Sequence, residues 1–246
     1  MSHDHACGCS GQSKSSDTCC KGEAHKASGQ CCQDQVQEAK VPVTVEDFGA
    51  LDNVSLTMRY RRGIEFIDRR VFELTEEQID AAFLPDAGVG TWPVRVLIGH
   101  LADAELVFAH RLRRAIGEDK PLVSYLDENA FIDSGIYGNR PKKYAEEPEA
   151  DHARVMAALG GPLAVVHTLR QWTGQWLLTL TEDQWKRSVL HPEKGEQTIK
   201  RILTYSTWHL EHHAKFLTQK LDKMLGPAPA EEEGGCCGGH GCGCGH

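Results

Sequence analysis

The sequence predicts an all-α fold, a four-helix bundle between disordered tails, and three observations carry that prediction. Four long stretches repeat apolar residues every three or four positions, the period of a helix with one buried face. Alternating apolar and polar residues are scarce: Val41 to Val45 is the only short candidate strand, and Pro42 weakens it. Both ends of the 246-residue chain are rich in Gly, Ser, Gln, Lys and Cys and too polar to bury a core. The folded part is therefore expected over residues 41–226, between a Cys-rich tail (1–40) and a Gly/Cys/His-rich tail (227–246).

The first long helix is expected from about residue 53 to 72, with Leu56, Tyr60, Ile64, Ile67 and Val71 at helical spacing. A short helix should follow, because Thr75 reads as an N-cap ahead of Glu76, Glu77 and Gln78. In the second, Pro93 suits the first helical position, and Val94, Leu97, Ile98, Leu101, Ala104, Phe108 and Leu112 form a stripe ending at Gly117. His100 borders that stripe. The stretch 118–147 reads as a loop, unusually long for a compact helical domain, and such loops often form lids or rims. The third helix is expected over 151–180, with an interruption at Gly160-Gly161-Pro162. The fourth is expected over 197–225, with Ile202, Tyr205, His209, Phe216 and Leu217 facing inward.

Charge and motifs exclude several classes of function. A formal net charge of −8 and a pI near 5.9 argue against nucleic acid as a partner, because phosphate binding needs a basic face. No apolar run approaches the ~20 residues that span a bilayer. The first residues lack the basic start and apolar stretch of a signal peptide, so a cytoplasmic location is expected. The folded part has no cysteine, no Gly-x-Ser-x-Gly elbow and no Gly-rich phosphate loop, which leaves covalent serine or cysteine chemistry and nucleotide chemistry without a motif.

Histidines offer the clearest chemistry. His209 and His213 are four residues apart, about one helical turn, so both imidazoles share a face. His209 falls at a core position, where a buried imidazole needs a partner. Two core histidines bonded to Glu, Tyr or backbone would use the same spacing. His100, beside the apolar stripe of another helix, supplies the third ligand that an ion such as zinc or nickel requires, and three neutral imidazoles leave a fourth position for water or a thiolate. On spacing alone His212 competes with His213. His110, His152, His167 and His191 lack a paired spacing. Asp103 and Glu105 lie near His100 in sequence, where either carboxylate could accept an imidazole N–H. Asp127 and Glu128, on the long loop, are candidates for a general base.

Several of these motifs occur together in a known family. Trp208 to His213, preceded by His191 to Gly195 and Tyr205, resembles the YfiT branch of the DinB-like superfamily; so do Pro93 to Arg111, with Gly99-His100, and Ser124 to Glu128. The resemblance covers essentially all of 41–226. It implies a four-helix bundle, often dimeric, with nickel or zinc held by His100, His209 and His213, and it favours His213 over His212. It also implies metal-dependent hydrolysis, or transfer of a low-molecular-weight thiol such as bacillithiol or mycothiol onto an electrophile. Arg111 stands where relatives have an arginine, although Arg113 and Arg114 beside it suggest a general basic strip.

All ten cysteines lie in the tails, six before residue 40 and four after residue 230, without a C-x-x-C pair. Cys236, Cys237, His240, Cys242, Cys244 and His246, separated by glycines, form a flexible donor set suited to soft metal ions, and the ending resembles the metal-binding tail of SlyD-type prolyl isomerases. The second functional expectation is therefore a metal-buffering or trafficking protein whose tails bind the ion and whose bundle is a scaffold.

Overall fold

The computed structural model describes residues 43–138 and 151–229. The expected tail ligands Cys236, Cys237, His240, Cys242, Cys244 and His246 lie outside these residues, as do 139–150 of the long connection.

The chain folds as a bundle of helices, and local chemistry sets most of their starts. Of the candidate strand at 41–45, the described residues 43–45 lead into a helix instead: Thr44 caps α1 (Val45–Ala50), its hydroxyl accepting from the Asp47 amide while the Asp47 carboxylate takes the Thr44 amide. Asp52 caps α2 (Asn53–Arg61) by accepting from the amides of Val54 and Ser55. The first long helix does not continue to residue 72; it tightens into 3₁₀ turns at Arg62–Phe66 and Arg69–Glu73. At Gly63 a Cβ would stand 2.3 Å from Nη1 of Arg170, so the backbone passes close beside a buried guanidinium there and only glycine fits. Thr75 caps α3 (Glu76–Ile79) in a capping box with Gln78, as the sequence suggests.

The second long helix, α4, is Val94–Gly117, with Pro93 as its N-cap residue rather than its first helical position. Within the stretch read as loop lies α5 (Glu128–Asp133). The expected interruption at Gly160-Gly161-Pro162 is absent, and α6 runs unbroken over Asp151–Leu177. An internal proline costs about 3 kcal/mol and a glycine about 1. Leu159, Leu163 and Val166 are all buried around this segment, and at about 1.5–3 kcal/mol each their burial outweighs the defect. Next come α7 (Glu182–Trp185), an antiparallel hairpin of β1 (Ser188–His191) and β2 (Gly195–Thr198), and α8 (Ile199–Leu225), capped by Thr198.

Helix α4 packs against both α6 and α8, and α2 packs against the same two. The interior holds two apolar clusters. Along α4 one cluster takes Val94 to Ala102 and the other Ala104 to Ala115; along α8 their order is reversed, so these helices run antiparallel. At the junction on both helices sit buried polar groups: His100 and Glu105 on α4, and Thr204, Ser206, Thr207 and His209 on α8. Arg170 of α6 joins this layer, 1% exposed, donating to Glu105 at 2.8 Å and to the backbone carbonyls of Tyr60 and Ser206. The Tyr60 hydroxyl donates to the other oxygen of Glu105, so a single carboxylate ties α2, α4 and α6 together.

Candidate metal centre

His100 is carried by α4, and His209 and His213 by successive turns of α8. His100 and His209 are buried, His213 partly so, and one ring nitrogen from each lies within 4.8 Å of the other two. Nε2 of His100 is 3.1 Å from Nε2 of His209. The rings meet edge to face: interplanar angles are 61° for His100 with His209, 73° for His100 with His213 and 77° for His209 with His213. His212 turns the other way, stacking on Trp208 with centroids 4.6 Å apart and packing against Phe216. That separates the two neighbours left open by spacing alone: His213 joins the cluster and His212 does not.

Aromatic groups enclose the cluster. Trp92, immediately before α4, stacks on His213 and meets His100 edge-on, while Phe108 meets His209 edge-on. Burial lowers all three imidazole pKa values. Burial holds His209 well below the ordinary range, with neighbouring His213 and His100 adding to the effect. His213 is pushed down to about 3 by burial and then by His100 and His212. For His100 burial dominates, partly opposed by the carboxylates of Glu128 and Asp103. Three neutral imidazoles converging on one point are the protonation state that metal ligation requires. Nitrogens about 2.0–2.1 Å from a tetrahedral zinc stand roughly 3.3 Å from one another; the His100–His209 pair is close to that separation, and the nitrogen of His213 lies within 4.8 Å of both.

The acidic candidates divide. Glu128, at the start of α5, brings Oε2 to 3.8 Å from Nε2 of His100 and is half-exposed. Asp127 instead caps α5, its carboxylate accepting from the Ala130 amide at 3.0 Å. Among the described residues neither Glu105 nor Asp103 accepts an imidazole N–H. Glu105 serves Tyr60 and Arg170, and Asp103 accepts from the Tyr137 hydroxyl at 2.7 Å.

A cavity of about 290 Å³ opens beside the histidines, bounded by His100, His209, Phe108, Tyr205, Glu128 and Arg111 among others. The expected basic strip is dispersed. Arg111 is buried in the cavity wall, Arg113 lies 3.3 Å over the Trp172 ring, and Arg114 pairs with Glu118. His191, set aside for want of a paired spacing, also lines the cavity. Its sequence signal is the His191 to Gly195 stretch, one of the motifs that carry the family resemblance. His110, His152 and His167 are exposed helix residues.

The family model of the DinB superfamily matches residues 60–217, well over half the chain. This chain belongs to the DinB superfamily. The matched span contains all three clustered histidines, Arg111 and Glu128, and excludes both Cys-rich tails. Among DinB relatives, the "Putative metal-dependent hydrolase YfiT" of Bacillus subtilis is 28% identical over 153 residues, covering 61% of this chain and 74% of that protein. The "Putative metal-dependent hydrolase OB0782" of Oceanobacillus iheyensis is 27% identical over 148 residues, covering 60% and 73%. The solved structure of Bacillus subtilis YfiT, described as an unusual four-helix bundle, superposes with a TM-score of 0.55 at 24% identity, over 70% of this chain and 87% of that one. At that identity the likeness establishes the DinB bundle fold and nothing finer.

Proposed function

We propose that this DinB protein is a metal-dependent enzyme whose His100, His209 and His213 hold one divalent ion, zinc or nickel, beside the cavity. The observation that carries the reading is the convergence of three buried or part-buried ring nitrogens within 4.8 Å of one another. An ion of this type, when bound, lowers the pKa of a water or thiol and polarises an electrophile. The chain's own residues supply the rest. Glu128 is placed to take the proton of the attacking water or thiol, since its carboxylate reaches the cavity near His100. Phe108, Trp92 and Tyr205 keep bulk water from the imidazoles and fix their rings. Hydrolysis and transfer of a low-molecular-weight thiol both use this arrangement. The relatives' names favour hydrolysis.

A buried histidine set opening on a cavity also favours an enzyme over a scaffold for metal-binding tails. The test is metal content of the full chain against His209→Ala, both purified without added metal. The reading requires a difference of one ion per chain, whatever the tails retain, and equal contents would overturn it.

A further inference from the structure

We infer that Arg111 and His191 form an anion subsite in the cavity wall, and that the ligand it takes is a carboxylate on an elongated substrate or co-substrate. His100 and Arg111 lie eleven residues apart on α4, close to three whole turns, so they share a face about 16 Å apart along the axis. Ala104, Val107 and Phe108 line the same cavity between them. One end of the cavity is therefore the histidine cluster and the other a cation.

That cation is unmatched. Arg111 is 8% exposed; Nη2 donates to the Ser124 carbonyl at 2.5 Å, and Nε, fully buried, has no acceptor. Among the described residues no carboxylate pairs with it, whereas Arg59, Arg95 and Arg170 are each closed by one. Burying a guanidinium without a counter-charge costs several kcal/mol, and a guanidinium stays charged throughout the working pH range. His191 adds a second donor. Its Nδ1 accepts the amides of Glu193 and Lys194 at 3.2 and 3.3 Å, which leaves Nε2 to carry the proton. Burial and then the Arg111 charge lower the His191 pKa, which agrees with the two groups being neighbours.

The remaining charges of the cavity select the kind of anion. Lys194 and Arg201 are at the exposed rim, and Glu128 and Glu193 are also in the wall. Two carboxylates repel a phosphate dianion more than a monoanion, and one guanidinium fork matches one carboxylate. The inference rests on the proposed metal function only in where it puts the reacting group; the subsite itself needs no ion.

The test uses the isotope-labelled full chain, as purified and after metal stripping, and follows the Arg111 Nε–H resonance, assigned through its side-chain correlations. Succinate should shift it saturably in both forms, succinamide should leave it in place, and inorganic phosphate should act more weakly. Arg111→Lys should bind succinate about tenfold or more weakly by calorimetry while keeping its metal content. A resonance unmoved by succinate, moved equally by succinamide, or moved only while metal is present overturns the subsite; tighter binding of phosphate overturns the carboxylate assignment. Because the resonance is read in the unaltered protein, the result stands even if the variant fails to fold, and the metal-stripped arm separates failure of the subsite from failure of the metal reading.

Discussion

The Nε2 atoms of His100 and His209 stand 3.1 Å apart inside the bundle, on helices that run in opposite directions. One proton can satisfy that pair as a hydrogen bond, but it leaves the converging nitrogen of His213 without a share in it. A common cation satisfies all three. Side chains that surround this point and side chains that only neighbour it in sequence should therefore respond differently to substitution.

His212 and His213 should behave oppositely. His213→Ala should remove one ion per chain, whereas His212→Ala should keep it and weaken only the packing against Trp208 and Phe216. Elemental analysis of the two variants decides the matter, and loss of the ion from His212→Ala alone would show the cluster to be wrongly drawn.

Glu128 and Asp127 should separate in the same way. Glu128→Gln should retain metal and lose about 10²–10⁴-fold in hydrolysis of p-nitrophenyl acetate or in displacement of chloride from monochlorobimane by a thiol, whichever the protein catalyses. Asp127→Ala should instead cost about 1 kcal/mol of stability through the lost cap of α5, with a smaller effect on rate. The reverse ranking in a steady-state assay would transfer the base role to Asp127.

Glu105→Ala should destabilise the fold by about 3–5 kcal/mol, since it leaves Arg170 buried and unpaired. Replacing both, as Glu105→Ala with Arg170→Met, should cost less than the sum of the single changes, because no orphaned charge remains. Urea denaturation of the four proteins supplies the cycle.

Lys220 should make stability depend on pH in the alkaline range. It is 1% exposed, donates to the Gly90 carbonyl at 2.6 Å, and burial lowers its pKa from 10.5 to about 8. Between those values the unfolded chain holds the proton that the folded chain has lost, so this residue's contribution to stability rises with pH from about 8 to 10.5. Below that window the cost of the buried charge is fully present. In urea midpoints measured across the window, the wild type should gain on Lys220→Met as pH increases; parallel curves would refute the assignment.

Helical periodicity made the long helices and the three histidines legible, because a face buried over many turns leaves a repeated mark in the residues. What stayed hidden depends on single contacts between distant positions. Nothing near residue 63 announces that Arg170 will cross there, or that the helix tightens into 3₁₀ turns from residue 62. The hairpin escaped because its strands have only four residues each, too short for alternation to stand out. Asp127 and Glu128 look equivalent in sequence; only the start of α5 makes one a cap and the other a cavity residue. At Gly160-Gly161-Pro162 the local preference for a break is real, and the surrounding burial outweighs it.

The segment that carries Glu128 is fastened to α4 on either side of it: Ser124 through Arg111, and Tyr137, whose hydroxyl bonds Asp103 and whose ring fills the space a side chain at Gly99 would need. Both anchor points belong to the helix that bears His100. The carboxylate and that imidazole are thus held to one helix, by two contacts that flank the carboxylate in the chain.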